Sequence, residues 1–147
     1  MKPILSFILT LSSFSLIAQD DCSELFFSEY VEGTSQNKAL EVYNPTSQAV
    51  DLSDYVIHRY PNGNSNPEGD GLTLNGILAP FGTFIITNGE TVDDGFGLID
   101  PALYDLADQV CPPDYPNPLS MNGNDAVTLS KNGVIVDIIG RLGENPG

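Results

Sequence analysis

Three glutamates, Glu29, Glu32 and Glu41, are the carboxylates whose type and spacing come nearest to acid–base chemistry. If the runs 25–31 and 39–43 pair as strands, Glu29 and Glu41 face each other, and Lys38 can neutralise one of them. A carboxylate pair serves hydrolysis as acid and base only inside a cleft that fixes its separation. The sequence supplies no such cleft, and charges on strands usually point to water, so a solvated face or a structural ion pair is expected.

A second acidic group, Asp93, Asp94, Asp100, Asp105 and Asp108, lies in one long connection. Calcium gathers roughly six to eight oxygens from carboxylates, carbonyls and water, and the spacing of the helix–loop–helix calcium loop is missing here. Asp93, Asp94, Asp105 and Asp108 are therefore weak candidates for a calcium site, and no other cofactor is expected. A solvated acidic stretch is the plainer reading. Asn122-Gly123-Asn124-Asp125 also brings oxygens together, but a tight turn accounts for it, because Asn and Gly tolerate positive φ.

His58 is the only histidine, and it has no second ligand in a recognisable spacing, which argues against zinc. Ser28, Ser53 and Ser130 lack the G-x-S-x-G setting, and no triad can be built around His58. Tyr30, Tyr43, Tyr55 and Tyr60 offer a potential aromatic face for sugars or peptides. Half-buried strand tyrosines more often serve as core or cross-strand partners. No catalytic residue is assigned, and the segment is expected not to be an enzyme.

The elements that would position these residues are mostly strands. Runs 25–31, 39–43, 55–60, 72–74 and 83–87 alternate apolar with polar residues or are rich in β-branched and aromatic side chains. Turn chemistry separates them: Asn44-Pro45-Thr46-Ser47, the flexible stretch 61–71, and Ala79-Pro80-Phe81-Gly82. One helix is expected over 102–110, with Asp100 as its cap and Pro101 at its first position, ending before Pro112-Pro113. On that helix Asp105 and Asp108 would share a face and repel each other. A final hairpin pairs 125–130 with 134–139 about Lys131-Asn132-Gly133, placing Val134, Val136 and Ile138 on one face and Asp137 on the other. Many short strands with a single inserted helix predict an all-β sandwich.

The first eighteen residues read as a signal peptide. Lys2 gives a basic start, residues 4–17 are largely apolar, and Ala18 precedes an expected cut before Gln19. The run is shorter than the ~20 apolar residues of a membrane span, so none is expected once the signal is removed. A lipid anchor on Cys22 ranks below simple secretion, because Asp20 and Asp21 stand where small residues are needed. The remaining chain, 19–147, is long enough for one domain with a core. It carries four basic against twenty acidic residues, a formal charge of −16, compared with −15 when Lys2 is included. So acidic a surface repels phosphate backbones and anionic headgroups, which excludes direct nucleic-acid binding by this segment. Divalent cations, or a protein or cell-surface partner bringing its own positive charge, fit better. Cys22 and Cys111 are a disulfide candidate in an oxidising compartment.

The run LFFSEYVEGTSQNKALEVYNPTSQAVDLSDYVIHRY, then LAPFGTFIITNG, then MNGNDAVTLSKNGVIVDIIG, resembles the lamin tail domain in its bacterial, secreted form. The marks are the strand and turn over residues 38–44, the step Asp51-Leu52-Ser53, and residues 122–139. The resemblance implies an immunoglobulin-like β-sandwich, usually an accessory module, with no agreed catalytic residues to carry over. The expected function is thus a non-catalytic exported module, serving recognition, spacing or adhesion at the N-terminus of a larger secreted protein. One alternative is the accessory domain of a secreted metal-dependent nuclease or phosphatase-type hydrolase whose catalytic domain lies downstream. Another is a calcium-stabilised cell-surface adhesion module. Ending on the turn-like Pro146-Gly147, the domain is expected to be cut short at its C-terminal end. The sequence sets no oligomeric state.

Overall fold

Alternating side chains and frequent turn residues fold most of this chain into short strands, and a computed structural model describes residues 23–93 and 95–147. The strands are β1 (Phe26–Glu32), β2 (Lys38–Tyr43), β3 (Val50–Asp51), β4 (Tyr55–Tyr60), β5 (Leu72–Thr73), β6 (Ile77–Leu78) and β7 (Thr83–Asn88). A one-turn helix α1 (Pro101–Tyr104) follows, then β8 (Gln109–Cys111), β9 (Ala126–Lys131) and β10 (Val134–Ile139). They build two four-stranded sheets, β1-β2-β7-β8 and β10-β9-β4-β5, with the small pair β3-β6 beside them. All neighbours are antiparallel except β7 and β8. This is the expected all-β, immunoglobulin-like sandwich with one short inserted helix. Among the described residues, no helix is long and apolar enough to cross a membrane.

The core lies where the inner faces meet. Leu40, Val42 and Ile86 of the first sheet pack with Tyr55, Ile57 and Leu129 of the second, all essentially sealed from solvent. Alternation along β4 puts Tyr55, Ile57 and Arg59 on this inner face.

Two expectations fail for identifiable reasons. The helix expected over 102–110 lasts one turn: Asp100 caps it through the Ala102 N–H at 2.8 Å, and the turn closes at Asp105. Beyond it, Asp108 exchanges two bonds with Ile85: its N–H donates to the Ile85 carbonyl at 2.9 Å, and its carboxylate accepts from the Ile85 N–H at 2.8 Å. That docking starts β8 along β7, so sheet pairing overrides a weak helix preference. In the last strand, a bulge at Val136 reverses the alternation. Val136 and Ile139 pack on the core, whereas Val134 and Ile138 remain 67% and 38% exposed. Asp137 comes to stand opposite Leu129 and accepts the Phe27 N–H of β1 at 2.7 Å. A matching bulge at Ser28 bends β1, so the two sheet edges approach each other and Asp137 bridges them. On the opposite flank, Gln109 of β8 donates to the Thr73 carbonyl at 3.0 Å and accepts the Asn75 N–H at 3.0 Å. Both open flanks of the sandwich are thus tied by one polar side chain each, which blunts the edges against strand addition.

Candidate functional site

β1, β4, β7 and β8 all run towards the same end of the sandwich, and the segments that follow them enclose a cleft of about 690 Å³. Pro61 ends β4 by removing a ladder donor, and Asn62 takes a left-handed turn at φ 52. Arg59, two residues earlier, is only 5% exposed, so its guanidinium must find its acceptors inside the protein. Nη1 donates to Asp125 at 3.1 Å and to the Ser120 carbonyl at 3.2 Å. Nη2 pairs with Glu68 and contacts the Tyr115 hydroxyl at 3.2 Å, while the guanidinium lies 5.3 Å from the centre of the Tyr115 ring. Burial alone would lower the Arg59 pKa, but the bonds to Tyr115 and Asp125 and the charges of Asp125 and Glu68 raise it.

Asp125, its side chain fully buried, also accepts the N–H groups of Asn62 at 2.9 Å and Asn122 at 3.1 Å. One carboxylate therefore pins the turn after β4, the turn before β9 and the buried cation. Glu68 accepts the Tyr115 hydroxyl at 2.7 and 2.8 Å. Asn88, 2% exposed at the end of β7, donates to the Leu119 carbonyl and to Gln36, each at 3.2 Å, and accepts the Glu90 N–H at 2.8 Å. The cleft walls are thus held by buried polar groups, with Phe96 and Tyr115 exposed in its lining at 76% and 66%.

The residues singled out in the sequence do not converge on one place. Glu29 and Glu41 are indeed register partners across β1 and β2. Glu41 accepts the Ser28 hydroxyl at 2.6 Å, and Lys38 turns instead to Glu32, at 3.9 Å, and to the Gly33 carbonyl, at 2.9 Å. Asp93 accepts the N–H groups of Gly95 at 2.9 Å and Gly97 at 3.3 Å, Asp105 closes α1, and Asp108 docks on Ile85. Asp105 and Asp108 therefore share no helix face. Asp94 lies outside the described residues. Among the described residues no three His, Cys, Asp or Glu side chains gather as for a metal ion.

Cys111 is buried at 1% exposure, and burial pushes its thiol up to about 11. Its expected disulfide partner, Cys22, lies outside the described residues, as do residues 1–18, where a signal peptide is expected. The four tyrosines are divided between the sheets: Tyr55 and Tyr60 are buried, Tyr43 meets Phe26 edge to face at 5.6 Å, and Tyr30 bonds Glu32 at 3.1 Å. His58 sits on the outer side of β4, Ser28 and Ser53 are exposed, and Ser130 is buried. Asn122-Gly123-Asn124-Asp125 forms the expected turn, closed by the Asp125 N–H on the Asn122 carbonyl at 2.9 Å.

Sequence reasoning missed the Arg59 network. A usable signal was there: Arg59 occupies a core-facing position in the alternation of β4, and a cation at such a position requires carboxylates.

A sandwich of this topology, closed at its flanks and carrying its cleft on the loops of one end, belongs to the class of immunoglobulin-like β modules. The family described as Lamin Tail Domain matches residues 18–142, and the chain is a member of that family. No curated protein matches it. The family is an immunoglobulin-like module, generally non-catalytic.

Proposed function

We propose that this chain is an exported, non-catalytic recognition module of a secreted protein, and that it contacts its partner through the loop-end cleft. The observation that carries the reading is the cleft itself. It is walled by segments that the buried Arg59–Asp125 pair holds in place, and it presents large aromatic side chains to solvent. Exposed rings on a rigid frame suit contact with a partner, because little ordering is left to be done on binding. Export rests on the leader-like pattern of residues 1–18. The absence of catalysis rests on the family's general character, on the place of Glu29 and Glu41 on an outer strand surface, and on the engagement of Glu32 by Tyr30 and Lys38.

The test is incubation of the purified protein with plasmid DNA and with p-nitrophenyl phosphate, in magnesium, manganese or calcium. No turnover above buffer is expected. Hydrolysis that a chelator abolishes would overturn the non-catalytic reading and favour a metal-dependent hydrolase.

A further inference from the structure

We infer that the loop-end cleft takes an uncharged saccharide, stacked against Phe96 and Tyr115; the inference rests on the recognition reading and names its ligand. Charge narrows the choice first. The lining carries two cations, Lys38 and Arg59, and one carboxylate, Glu90. Arg59 is already matched by Asp125 and Glu68, and Lys38 by Glu32 and the Gly33 carbonyl. An anionic ligand meets a protein with a formal charge of −15 and finds both cations already engaged. A cationic ligand meets Lys38 and Arg59 in the wall. A neutral ligand meets neither obstacle.

The rings come next. Tyr115 is 66% exposed yet does not swing: its hydroxyl bonds Glu68 and Arg59, and the guanidinium lies against its ring at 5.3 Å. A fixed, amphipathic ring offers contact area with little entropy left to lose. Phe96, also in the lining and 76% exposed, supplies a second apolar surface. The C–H faces of a pyranose pack on such rings.

Hydrogen-bonding capacity separates a sugar from the other ligand that favours exposed rings, a proline-rich peptide. Among the described residues, the Gln36, Asn62 and Asn122 side chains use their carbonyl oxygens internally, which leaves amide N–H groups at the cleft as donors. Glu90 accepts the Val92 N–H at 3.1 Å through one carboxylate oxygen and leaves the other as an acceptor that a ligand donor can meet. Sugar hydroxyls donate and accept, whereas prolines have no N–H to give. The volume, about 690 Å³, falls within the roughly 300–1,000 Å³ of small-ligand clefts.

The experiment is affinity electrophoresis of the intact chain through gels holding neutral mannan, laminarin or xyloglucan. Alginate supplies an anionic arm, and a fluorescent polyproline peptide, read by anisotropy, supplies a third. Phe96→Ala is the variant, with its melting temperature measured alongside. The expected result is retardation by at least one neutral polysaccharide, about five- to tenfold weaker in Phe96→Ala at an unchanged melting temperature. Phe96-dependent binding to alginate or polyproline alone would overturn the saccharide but leave the recognition reading standing. Retardation equal in both proteins would place the sugar elsewhere and overturn the inference. No binding in any arm would overturn it and remove the cleft as the contact site as well.

Discussion

The two ends of β4 are built from the same three chemical parts, a carboxylate, a cation and a phenol, arranged in opposite order. At the first end Tyr55 is fully buried; its hydroxyl bonds Glu24, and Lys131 reaches Glu24 at 3.0 Å with its ammonium 5.2 Å from the centre of the Tyr55 ring. There the phenol is inside and the cation, with its side chain 39% exposed, is outside. At the second end the cation, Arg59, is inside and the phenol, Tyr115, is outside. The order has consequences. A buried phenol needs one partner for its hydroxyl, so the Tyr55 end closes with little further structure. A buried guanidinium needs acceptors on several sides, so the Arg59 end recruits Glu68 from the connection after β4, and Asp125 and the Ser120 carbonyl from the connection after β8. Fixing those connections is what frames an open cleft.

If that contrast is right, the largest single loss comes from Asp125→Ala. It strands the Arg59 charge in a buried setting and frees the N–H groups of Asn62 and Asn122. The expected cost is about 3–5 kcal/mol in urea unfolding. Faster amide exchange should be confined to 61–71 and 112–125, with the Tyr55 end unchanged. A loss below about 1 kcal/mol would mean that the pair does not hold the cleft.

How far the two ends could be read from the sequence differs for the same reason. The long strands were legible because their alternation is local, and Glu29 opposite Glu41 followed directly from pairing β1 with β2. The start of α1 was legible too, since Asp100 and Pro101 carry their own signals. β8 was not, because three residues hold no period, and its pairing with β7 is decided by Asp108 docking on Ile85, 23 residues away. The bulge at Val136 was equally hidden, since nothing in VIVDII marks which residue is extra. The cleft was the least visible part. Arg59 could have been suspected from its place in YVIHRY, but its partners Glu68 and Asp125 lie 9 and 66 residues on, among residues that read as turn formers.

Tyr55→Phe tests the closed end with a smaller change. It removes one hydroxyl and leaves Glu24 with Lys131 and the Leu25 N–H at 3.0 Å. Burial raises the Glu24 carboxyl, but bonds from Tyr55, Lys131 and the Leu25 N–H outweigh it and hold the pKa below 4.5. Because those last two bonds survive, the expected loss is about 1–2 kcal/mol, with no change at the cleft. A loss as large as that of Asp125→Ala would break the comparison, showing that a buried phenol depends on its partners as heavily as a buried cation does.

The smallest effect belongs to the middle of β4, on its outer side, where His58 separates the two ends. The loop before β5 folds back over it at Gly71, whose φ of +78° suits only glycine and whose added Cβ would come within 2.7 Å of the Ile57 carbonyl. Burial lowers the His58 pKa below 6.5, and a hydrogen bond to the Asp70 backbone and the charge of Asp70 oppose this without cancelling it. The sign follows from linkage: between the two values the unfolded chain binds the proton and the folded chain does not. His58 therefore leaves stability fully present above pH 6.5 and removes it as pH falls through the depressed folded value. Glu24, held below 4.5, adds a separate loss at lower pH. Unfolding measured from pH 8 down to about pH 2 should show both declines, and His58→Gln should flatten only the upper one. An upper decline that survives in His58→Gln would assign it to another group and detach the middle of the strand from the folded-back loop.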